Sequence, residues 1–321
     1  MRLVTSIEGL EPADYSGGTV VAVGKFDGVH LGHRAIIASL LRNARAAGLQ
    51  SVVFTFANNP LSLLRPEACP QPLASRAQRL ELLETAGVDT CVMVEFDAAF
   101  AAIPAREFVE RVLVGQLGVR HVLLGDDFRF GHRGAGDAAL LRELGPQLGF
   151  TVEVVASVGD DESRAVSSTL IRNAVLSGEL VAARGMLGRC HSVRGEVVHG
   201  DARGRELGFP TANLGGEIEG LVPAHGVYAG SVVFDGVERD AAISVGVNLT
   251  FEPEGAPRVE AFVLDFTGDL YGKQMEVRFA ERIREMLPFS SVDGLVARMH
   301  EDVAETRTIL AGLRAAAAPQ H

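Results

Sequence analysis

The stretch that decides the fold of the first half is GKFDGVHLGH, residues 24–33. It follows an apolar, strand-like run over 19–23 and precedes a helical run over 34–47. A strand that turns through glycines into a helix presents backbone N–H groups and the positive end of the helix dipole to an anion. His30 and His33 add two imidazoles at the same place. The segment therefore predicts a phosphate site and indicates a protein that handles nucleotides.

Length and composition indicate two folded domains and limit the classes of partner. The chain has 321 residues, of which 47% are hydrophobic and 22% are charged, as expected for packed globular cores. A net charge of −11 argues against a nucleic-acid partner bound through a basic face. The three scattered cysteines predict free thiols. With no leader and no run of membrane-spanning length, we expect a cytoplasmic protein without a membrane partner, its oligomeric state left open.

Strand and helix patterns alternate up to about residue 184. Strands are predicted over 19–23, 50–56, 90–94, 121–124 and 151–155, and helices over 34–47, 75–86, 105–117, 138–148 and 168–176, with a further helix left open over 180–187. Repeated βα units predict a Rossmann-like, doubly wound parallel sheet with ligands at the carboxyl ends of its strands. We assign residues 1–184 to this α/β domain.

Short alternating runs replace the helical period after a predicted linker over 184–191. They predict strands over 192–199, 226–234, 237–245, 259–266 and 274–279, with a hairpin turn at 235–236. Such runs predict a small antiparallel β-barrel. A helix over about 291–313 should pack on the barrel through Leu295, Val296, Met299, Val303 and Ile309. We assign residues 185–315 to this second domain and 316–321 to a tail.

Two further segments of the first half carry chemistry. DDFRFG at 126–131 follows a predicted strand and combines groups that suit a purine, ribose hydroxyls and magnesium. SSTLIR at 167–172 places hydroxyls at a helix start and Arg172 one turn later, which forms a second phosphate cradle. For His30 and His33 the alternative is a helix cap or a buried polar group.

The densest signal of the second half is GEVVHGDARGRELGFPTANL at 195–214. A strand leads into a loop rich in glycine and arginine, which can approach phosphates through its backbone, and then into a rigid turn over 210–213. Thr211 and Asn213 supply hard oxygen ligands two residues apart, and these suit Mg²⁺ carrying ATP phosphates. An ordinary Asn/Pro turn is the alternative.

In this order and spacing, these segments resemble the prokaryotic bifunctional FAD synthetases, which carry riboflavin kinase and FMN adenylyltransferase activities. HLGH at 30–33 is similar to the family's HxGH element, 126–131 to its ExDFRFG-type segment and 168–172 to its SSTxxR element. PTAN at 210–213 resembles the motif of the riboflavin kinase domain, with further matches over 226–229, 245–251, 259–266 and 269–272. The resemblance covers nearly the whole chain.

For the first domain the resemblance implies adenylyl transfer, in which the FMN phosphate attacks the α-phosphorus of ATP. A phosphate is mostly ionised at neutral pH, so no general base is required. The resemblance makes His30 and His33 the triphosphate ligands and Arg172 the group that neutralises leaving-group charge. Further ATP- or flavin-binding residues expected here are Gly24, Phe26, Asp27, Gly28, Asn59, Asp126, Asp127, Phe128, Arg129, Ser168 and Thr169.

For the second domain the resemblance implies phosphorylation of riboflavin by ATP. The 5′-hydroxyl is not ionised at neutral pH, and the family uses the glutamate at the position of Glu260 as its base. A solvated position on an alternating strand is the alternative for Glu260. Thr211 and Asn213 would hold Mg²⁺. Expected ATP- or flavin-binding residues are Gly195, Gly200, Arg203, Arg205, Gly208, Pro210, Thr211, Asn213 and Asn248.

Four positions depart from the family pattern. Ala57 and Asn59 replace the aspartate and histidine of the family's TFDPHP segment, Leu249 replaces a proline, and Phe262 stands where histidine is common. The first two leave open either a tolerated substitution beside an intact HxGH element or a kinase whose first domain is weak or retuned, for example towards CTP. The last two predict packing changes. A non-catalytic flavin- or nucleotide-binding regulator is the remaining alternative.

Overall fold

The computed structural model describes residues 1–156, 158–159, 165–200, 204, 207–246 and 258–317. The chain divides into two compact units, Met1–Ser167 and Ser168–His321. Three predicted ligands of the second domain, Arg203, Arg205 and Asn248, lie outside the described residues. Within the described ranges, no helix combines the length and the apolar character needed to cross a bilayer.

The first unit contains a six-stranded sheet in which every pairing is parallel, in the order β1-β4-β3-β2-β5-β6. The predicted α/β fold is confirmed. The strands are β1 (Arg2–Val4), β2 (Thr19–Val23), β3 (Gln50–Phe56), β4 (Thr90–Val94), β5 (Val119–Gly125) and β6 (Thr151–Val155). The edge strand β1 was not predicted, because three residues are too few to show an alternating pattern.

Helices cover both faces of this sheet. They are α1 (Leu31–Ala47), α2 (Leu61–Leu64), α3 (Arg76–Thr85), α4 (Ala98–Ala101), α5 (Ala105–Glu107), which continues as a π-helical segment (Phe108–Gln116), and α6 (Ala138–Leu148). Val21 and Val23 of β2 belong to one apolar cluster, and Val20 and Ala22 belong to the other. A strand covered on both faces is apolar throughout, which explains the continuous apolar run over 19–23.

The order of strands places the ends of β2 and β5 at a topological switch point. From β2 the chain continues to β3 on one side, and it later returns to pair β5 with the other side of β2. Ligands of open α/β sheets bind where the chain order reverses in this way, outside the carboxyl ends of the strands. The segments at 24–33 and 126–131 follow these two strands.

The second unit contains a closed barrel in the order β10-β11-β8-β7-β12-β9, and every pairing is antiparallel. The predicted barrel is confirmed. Its strands are β7 (His191–Val198), β8 (Thr211–Glu219), β9 (Gly226–Phe234), β10 (Val237–Gly246), β11 (Arg258–Val263) and β12 (Gln274–Arg284), preceded by α7 (Ser168–Ser177) and α8 (Leu180–Leu187) and followed by α9 (Val292–Ala317).

Two sequence predictions for this unit are wrong. The rigid turn over 210–213 is the start of β8, which was missed because Gly215 and Gly216 and the small residues around them have low strand propensity. The linker over 184–191 is mostly ordered structure, because the helix left open over 180–187 is present as α8 and β7 begins at His191.

The helix α9 contacts the barrel strands β9, β10 and β12, as predicted, but the centre of its buried face is polar. Asp302 and Thr306 are 4% and 0% exposed, whereas the predicted apolar residues are only partly buried. The carboxylate of Asp302 is paired with the guanidinium of Arg284 on β12, the Nη2–Oδ2 distance being 2.7 Å. An ion pair therefore occupies a position where the sequence pattern predicts an apolar contact.

Candidate active sites

The turn after β2 brings the two histidines of HLGH together at the start of α1. His30 is the N-cap of α1, and its Nδ1 accepts a hydrogen bond of 3.4 Å from the backbone N–H of His33. The two rings are stacked, with centroids 3.7 Å apart and planes 21° apart. The side chain of His30 therefore does cap the helix, and the same contact places both imidazoles at the end of β2.

Close packing around the two rings explains a glycine of this motif. A Cβ on Gly32 would lie 3.2 Å from the ring of His30, so a larger residue would displace that ring. On the other side, the buried ring of Phe26 lies 5.0 Å from the ring of His33, centroid to centroid. The positions of both imidazoles are thus set by side-chain packing within the turn.

His33 is held in its neutral form by its surroundings. Burial of the ring, reinforced by the neighbouring His30, lowers the pKa of His33 well below 6.5. Its Nδ1 is buried without a hydrogen-bond partner among the described residues. A buried ring nitrogen without a partner costs about 1–3 kcal/mol of desolvation, which a ligand at the site would recover.

The loop after β3 carries the two departures from the family pattern. The Oδ1 of Asn59 accepts a hydrogen bond of 3.0 Å from the backbone N–H of Leu61, at the start of α2. Ala57 packs partly against an apolar cluster, and its N–H donates to the carbonyl of Val94 over 2.8 Å. Both residues thus have local structural partners, and the predicted ligand role of Asn59 stays a prediction.

The loop after β5 is an aromatic turn with charged residues at its surface. The backbones of Phe130 and Gly136 exchange two hydrogen bonds, of 3.0 and 2.8 Å, which closes the turn. The rings of Phe128 and Phe130 are nearly parallel, with centroids 6.4 Å apart. Arg129 pairs with Asp137, the N-cap of α6, at 2.7 Å. Asp126 and Asp127 are exposed at this carboxyl edge.

The other predicted residues of the first domain divide between the two units. Gly24, Asp27 and Gly28 lie in the turn after β2, where the Oδ1 of Asp27 accepts from the backbone N–H of Leu73 over 2.9 Å. Ser168, Thr169 and Arg172 lie on α7 and so belong to the second unit. Arg172 is 8% exposed.

In the barrel, Thr211 and Asn213 on β8 and Glu260 on β11 lie on one face of the sheet. Glu260 is directly opposite Asn213 in the antiparallel register. The Thr211 hydroxyl donates to Oε2 of Glu260 over 3.4 Å, and the Asn213 amide donates to the carbonyl of Thr211 over 3.3 Å. The strand β11 alternates strictly, with Val259 and Ala261 buried and Glu260 partly exposed. This polar cluster places a carboxylate beside two candidate metal ligands.

Two glycines near this cluster have different structural reasons to be glycine. A Cβ on Gly200 would lie 2.7 Å from Cγ and from Nδ2 of Asn213, so the amide rests against bare backbone. Gly208, just before β8, has a φ of +85°, a conformation that favours glycine. Among the other predicted residues, Gly195 lies within β7 and Pro210 immediately precedes β8.

Sequence reasoning missed an aromatic group beside the cluster. The ring of Phe209 contacts the rings of Phe262 and His300 at centroid distances of 5.1 and 4.9 Å. Phe262 is opposite Thr211 in the register, which agrees with the expected packing change at this position. His300 is supplied by α9, so no spacing near the PTAN motif could have indicated it.

At neither candidate active site do the described residues form a metal site built from acidic, histidine or thiol ligands. Across the described residues, no group of three or more His, Cys, Asp or Glu side chains could hold a metal ion. A magnesium site in the barrel would therefore depend on Thr211 and Asn213, whose hydroxyl and amide oxygens are hard ligands.

Comparisons with known proteins identify the family. Family models described as FAD synthetase and riboflavin kinase match residues 13–170 and 187–310. A bifunctional riboflavin kinase/FMN adenylyltransferase from Pseudomonas fluorescens is 38% identical over 311 residues, which cover 97% of this chain and 98% of that protein. The chain belongs to this bifunctional family. A relative of the same description from Listeria monocytogenes is 36% identical over 92% of this chain and 93% of its own length.

The fold is also shared with a solved structure. A crystal structure described as a macrolide-efflux protein from Streptococcus pneumoniae matches with a TM-score of 0.84 and 33% identity, over 96% of this chain and 99% of that chain. Its described role belongs to that protein, since both family models and the curated relatives specify flavin enzymes. The predicted family and enzyme class are confirmed, and the roles of individual residues stay predictions.

Proposed function

We propose that this chain converts riboflavin to FMN with ATP and then converts FMN and ATP to FAD and pyrophosphate. The observation that carries the proposal is the Thr211–Asn213–Glu260 cluster on one barrel face, in a chain that also has His30 and His33 stacked at the switch point of an α/β sheet. We assign adenylyl transfer to residues 1–184, phosphorylation to 185–315 and a tail to 316–321. The matches at 13–170 and 187–310 support this assignment.

In the barrel, the proposed step moves a proton and a phosphoryl group. Glu260 takes the proton of the riboflavin 5′-hydroxyl as that oxygen forms a bond to the γ-phosphorus of ATP, and the bond to the β–γ bridging oxygen breaks. Hydrogen bonding from Thr211 orients the carboxylate of Glu260. ADP leaves with the displaced electron pair.

The hydroxyl and amide oxygens on the barrel face are ligands of the type that a magnesium ion prefers. The amide of Asn213 lies in a cradle at Gly200 that any Cβ would fill, and Thr211 presents its hydroxyl on the same face. Thr211 and Asn213 would hold the ion together with ATP oxygens, because the described residues offer no cluster of three or more His, Cys, Asp or Glu side chains for it. Bound there, Mg²⁺ would neutralise phosphate charge.

In the α/β domain, the proposed step needs positioning and charge stabilisation. An ionised oxygen of the FMN phosphate forms a bond to the α-phosphorus of ATP, and the bond to the pyrophosphate oxygen breaks. The neutral imidazole of His33 and the N-terminus of α1 offer hydrogen-bond donors and a positive dipole to the triphosphate. His30, which stacks on His33, binds the triphosphate beside it, and Arg172 neutralises the leaving group.

The test separates the two activities in one chain. Purified protein is incubated with riboflavin, Mg²⁺ and ATP, and chromatography resolves FMN from FAD; parallel reactions supply FMN with ATP or with CTP. We expect FMN followed by FAD, with ATP preferred and with loss of both products in EDTA. Preference for CTP would support the retuned alternative at Ala57 and Asn59, and absence of both products would support a regulator.

A variant pair tests the base. Glu260→Gln should lower FMN formation about 10²- to 10⁴-fold, the contribution typical of a general base, while FAD formation from supplied FMN stays unchanged. Glu217→Gln makes the same change at an exposed position of β8 and should alter neither rate. Normal FMN formation by Glu260→Gln would refute the assignment.

A further inference from the structure

Arg79 is a buried cation beside the turn after β2, and the mechanism above does not use it. It lies on α3 and is 7% exposed. Its Nη1 donates to the carbonyl of Phe56 over 2.8 Å, and its Nη2 donates to the carbonyl of Ala57 over 2.6 Å. Nη1 also reaches the carbonyl of Lys25 at 3.4 Å. One guanidinium therefore joins the carboxyl end of β3 to the turn that follows β2.

The same turn has two further attachments. The hydroxyl of Thr55 on β3 donates to the carbonyl of Lys25 over 2.9 Å. The backbone N–H of Leu73, two residues before the cap of α3, donates to the carboxylate of Asp27 over 2.9 Å. The negative charge of Asp27 also favours the charged form of Arg79. The loop and helix over 73–79 thus hold the turn through both its backbone and its carboxylate.

Fixing a helix to a sheet with a buried charge costs desolvation free energy. Burial lowers the pKa of Arg79 and Asp27 opposes this, but a guanidinium remains protonated in either case. An apolar side chain of similar size would avoid the desolvation, as Leu83 does on the same helix at 0% exposure. What an apolar residue could not do is donate to three carbonyl oxygens on two strand ends.

We propose that Arg79 is a positioning residue for adenylyl transfer. Its guanidinium holds the turn over 24–28 at a fixed distance from the loop over 56–59. His30, His33 and the N-terminus of α1 then meet a nucleoside triphosphate in a single geometry. This inference rests on the proposed function of the α/β domain, since the geometry matters only if that domain binds a triphosphate.

Four variants test the proposal. Arg79→Met removes the charge and the donors, and Arg79→Lys keeps the charge but loses the planar fork that reaches several carbonyls. Leu83→Ala is the matched control for lost stability, because it opens the core under the same helix and removes none of the hydrogen bonds that Arg79 makes. Arg76→Met removes an exposed arginine one turn earlier.

Steady-state kinetics give the first measurement. We expect kcat for FAD formation from FMN to fall about 100-fold in both Arg79 variants, as for a misplacement of about 1 Å at a reacting centre. KM for ATP should change less than kcat, because a misplaced turn weakens binding of the transition state more than binding of ATP in the ground state. FMN formation by the barrel should be unchanged in every variant. Full activity in Arg79→Lys, or an equal loss in Leu83→Ala, would overturn the proposal.

Hydrogen exchange followed by mass spectrometry gives the second measurement, without activity. Amides in peptides covering 24–30 and 56–59 should exchange faster in Arg79→Met than in Leu83→Ala or Arg76→Met. Unchanged exchange in those peptides would overturn the positioning role. If the wild-type chain formed FMN but no FAD, the proposed function would fail, and the exchange data would still decide whether Arg79 holds the turn.

Discussion

Breaking the ion pair between Asp302 on α9 and Arg284 on β12 should unfold the barrel unit at a much lower temperature. Nε of Arg284 lies 2.9 Å from Oδ1 of Asp302, and Nη2 lies 2.7 Å from Oδ2. The two side chains are 13% and 6% exposed, so neither is well solvated. Arg298 adds a second guanidinium 3.0 Å from Oδ1 of the same carboxylate. Asp302→Ala therefore leaves buried positive charge without its counter-ion.

The size of the effect follows from burial. Removing one partner of a buried pair costs about 3–5 kcal/mol. In a unit of 150–250 residues, each kcal/mol lowers the melting temperature by roughly 2–4 °C. The barrel unit, Ser168–His321, falls in this class, so its melting temperature should drop by about 6–20 °C. Differential scanning calorimetry measures the shift, and the temperature at which FMN formation is lost should fall with it.

Two companion variants decide whether the reasoning is correct. Arg307 on the same helix and Asp265, which follows β11, form an exposed pair at 2.7 Å, with side chains 49% and 73% exposed. Asp265→Ala should cost less than about 1 kcal/mol. The double variant Arg284→Met/Asp302→Leu should recover most of the stability, because it removes both buried charges. A shift in Asp302→Ala no larger than in Asp265→Ala would refute the reasoning.

Two other predictions concern pH and close packing. His191 is 3% exposed, and its Nε2 lies 2.6 Å from the carbonyl oxygen of Leu221. Burial lowers the pKa of His191 from 6.5 to about 4. The contribution of this residue to barrel stability should therefore be complete above pH 6.5 and should fall by roughly 3 kcal/mol towards pH 4. Urea unfolding from pH 8 to 4 should show this slope, and His191→Gln should flatten it; equal slopes would contradict the assignment. Gly200→Ala places a Cβ 2.7 Å from Asn213 and should lower kcat/KM for FMN formation roughly 5- to 150-fold, as for overpacking by about 1–3 kcal/mol. Gly185→Ala, which meets no atom within 4 Å, is its control, and equal rates in both variants would contradict the close contact.

The elements that the sequence predicted well are those with a strong local period. The repeated alternation of strand-like runs, such as those of β2 and β4, with helical periods predicted a parallel sheet, because consecutive βα units form one. The short edge strand β1 and the glycine-containing β8 were missed, because neither has enough apolar residues to show a period. Asp302 was missed because it is a charged residue at the centre of a helix face that the sequence pattern predicts to be apolar.

The contacts within the candidate sites also differ in whether local spacing could predict them. Spacing alone determined that His30 and His33 lie side by side, because residues three apart at a helix start share one face. It also predicted that Thr211 and Asn213 share one face if the chain there is extended. Spacing could not show that Arg79 reaches a carbonyl 54 residues earlier in the chain, because no local period encodes that contact.

The sequence by itself therefore determined the two fold classes, the family and the residue types available for phosphate chemistry, because each of these is carried by local motifs and hydrophobic periodicity. The tertiary structure alone decided which of these groups meet. Strand register places Glu260 opposite Asn213, and helix packing brings Arg79 to two strand ends. Such meetings depend on the closure of long loops and on the reach of individual side chains, which the order of residues does not reveal.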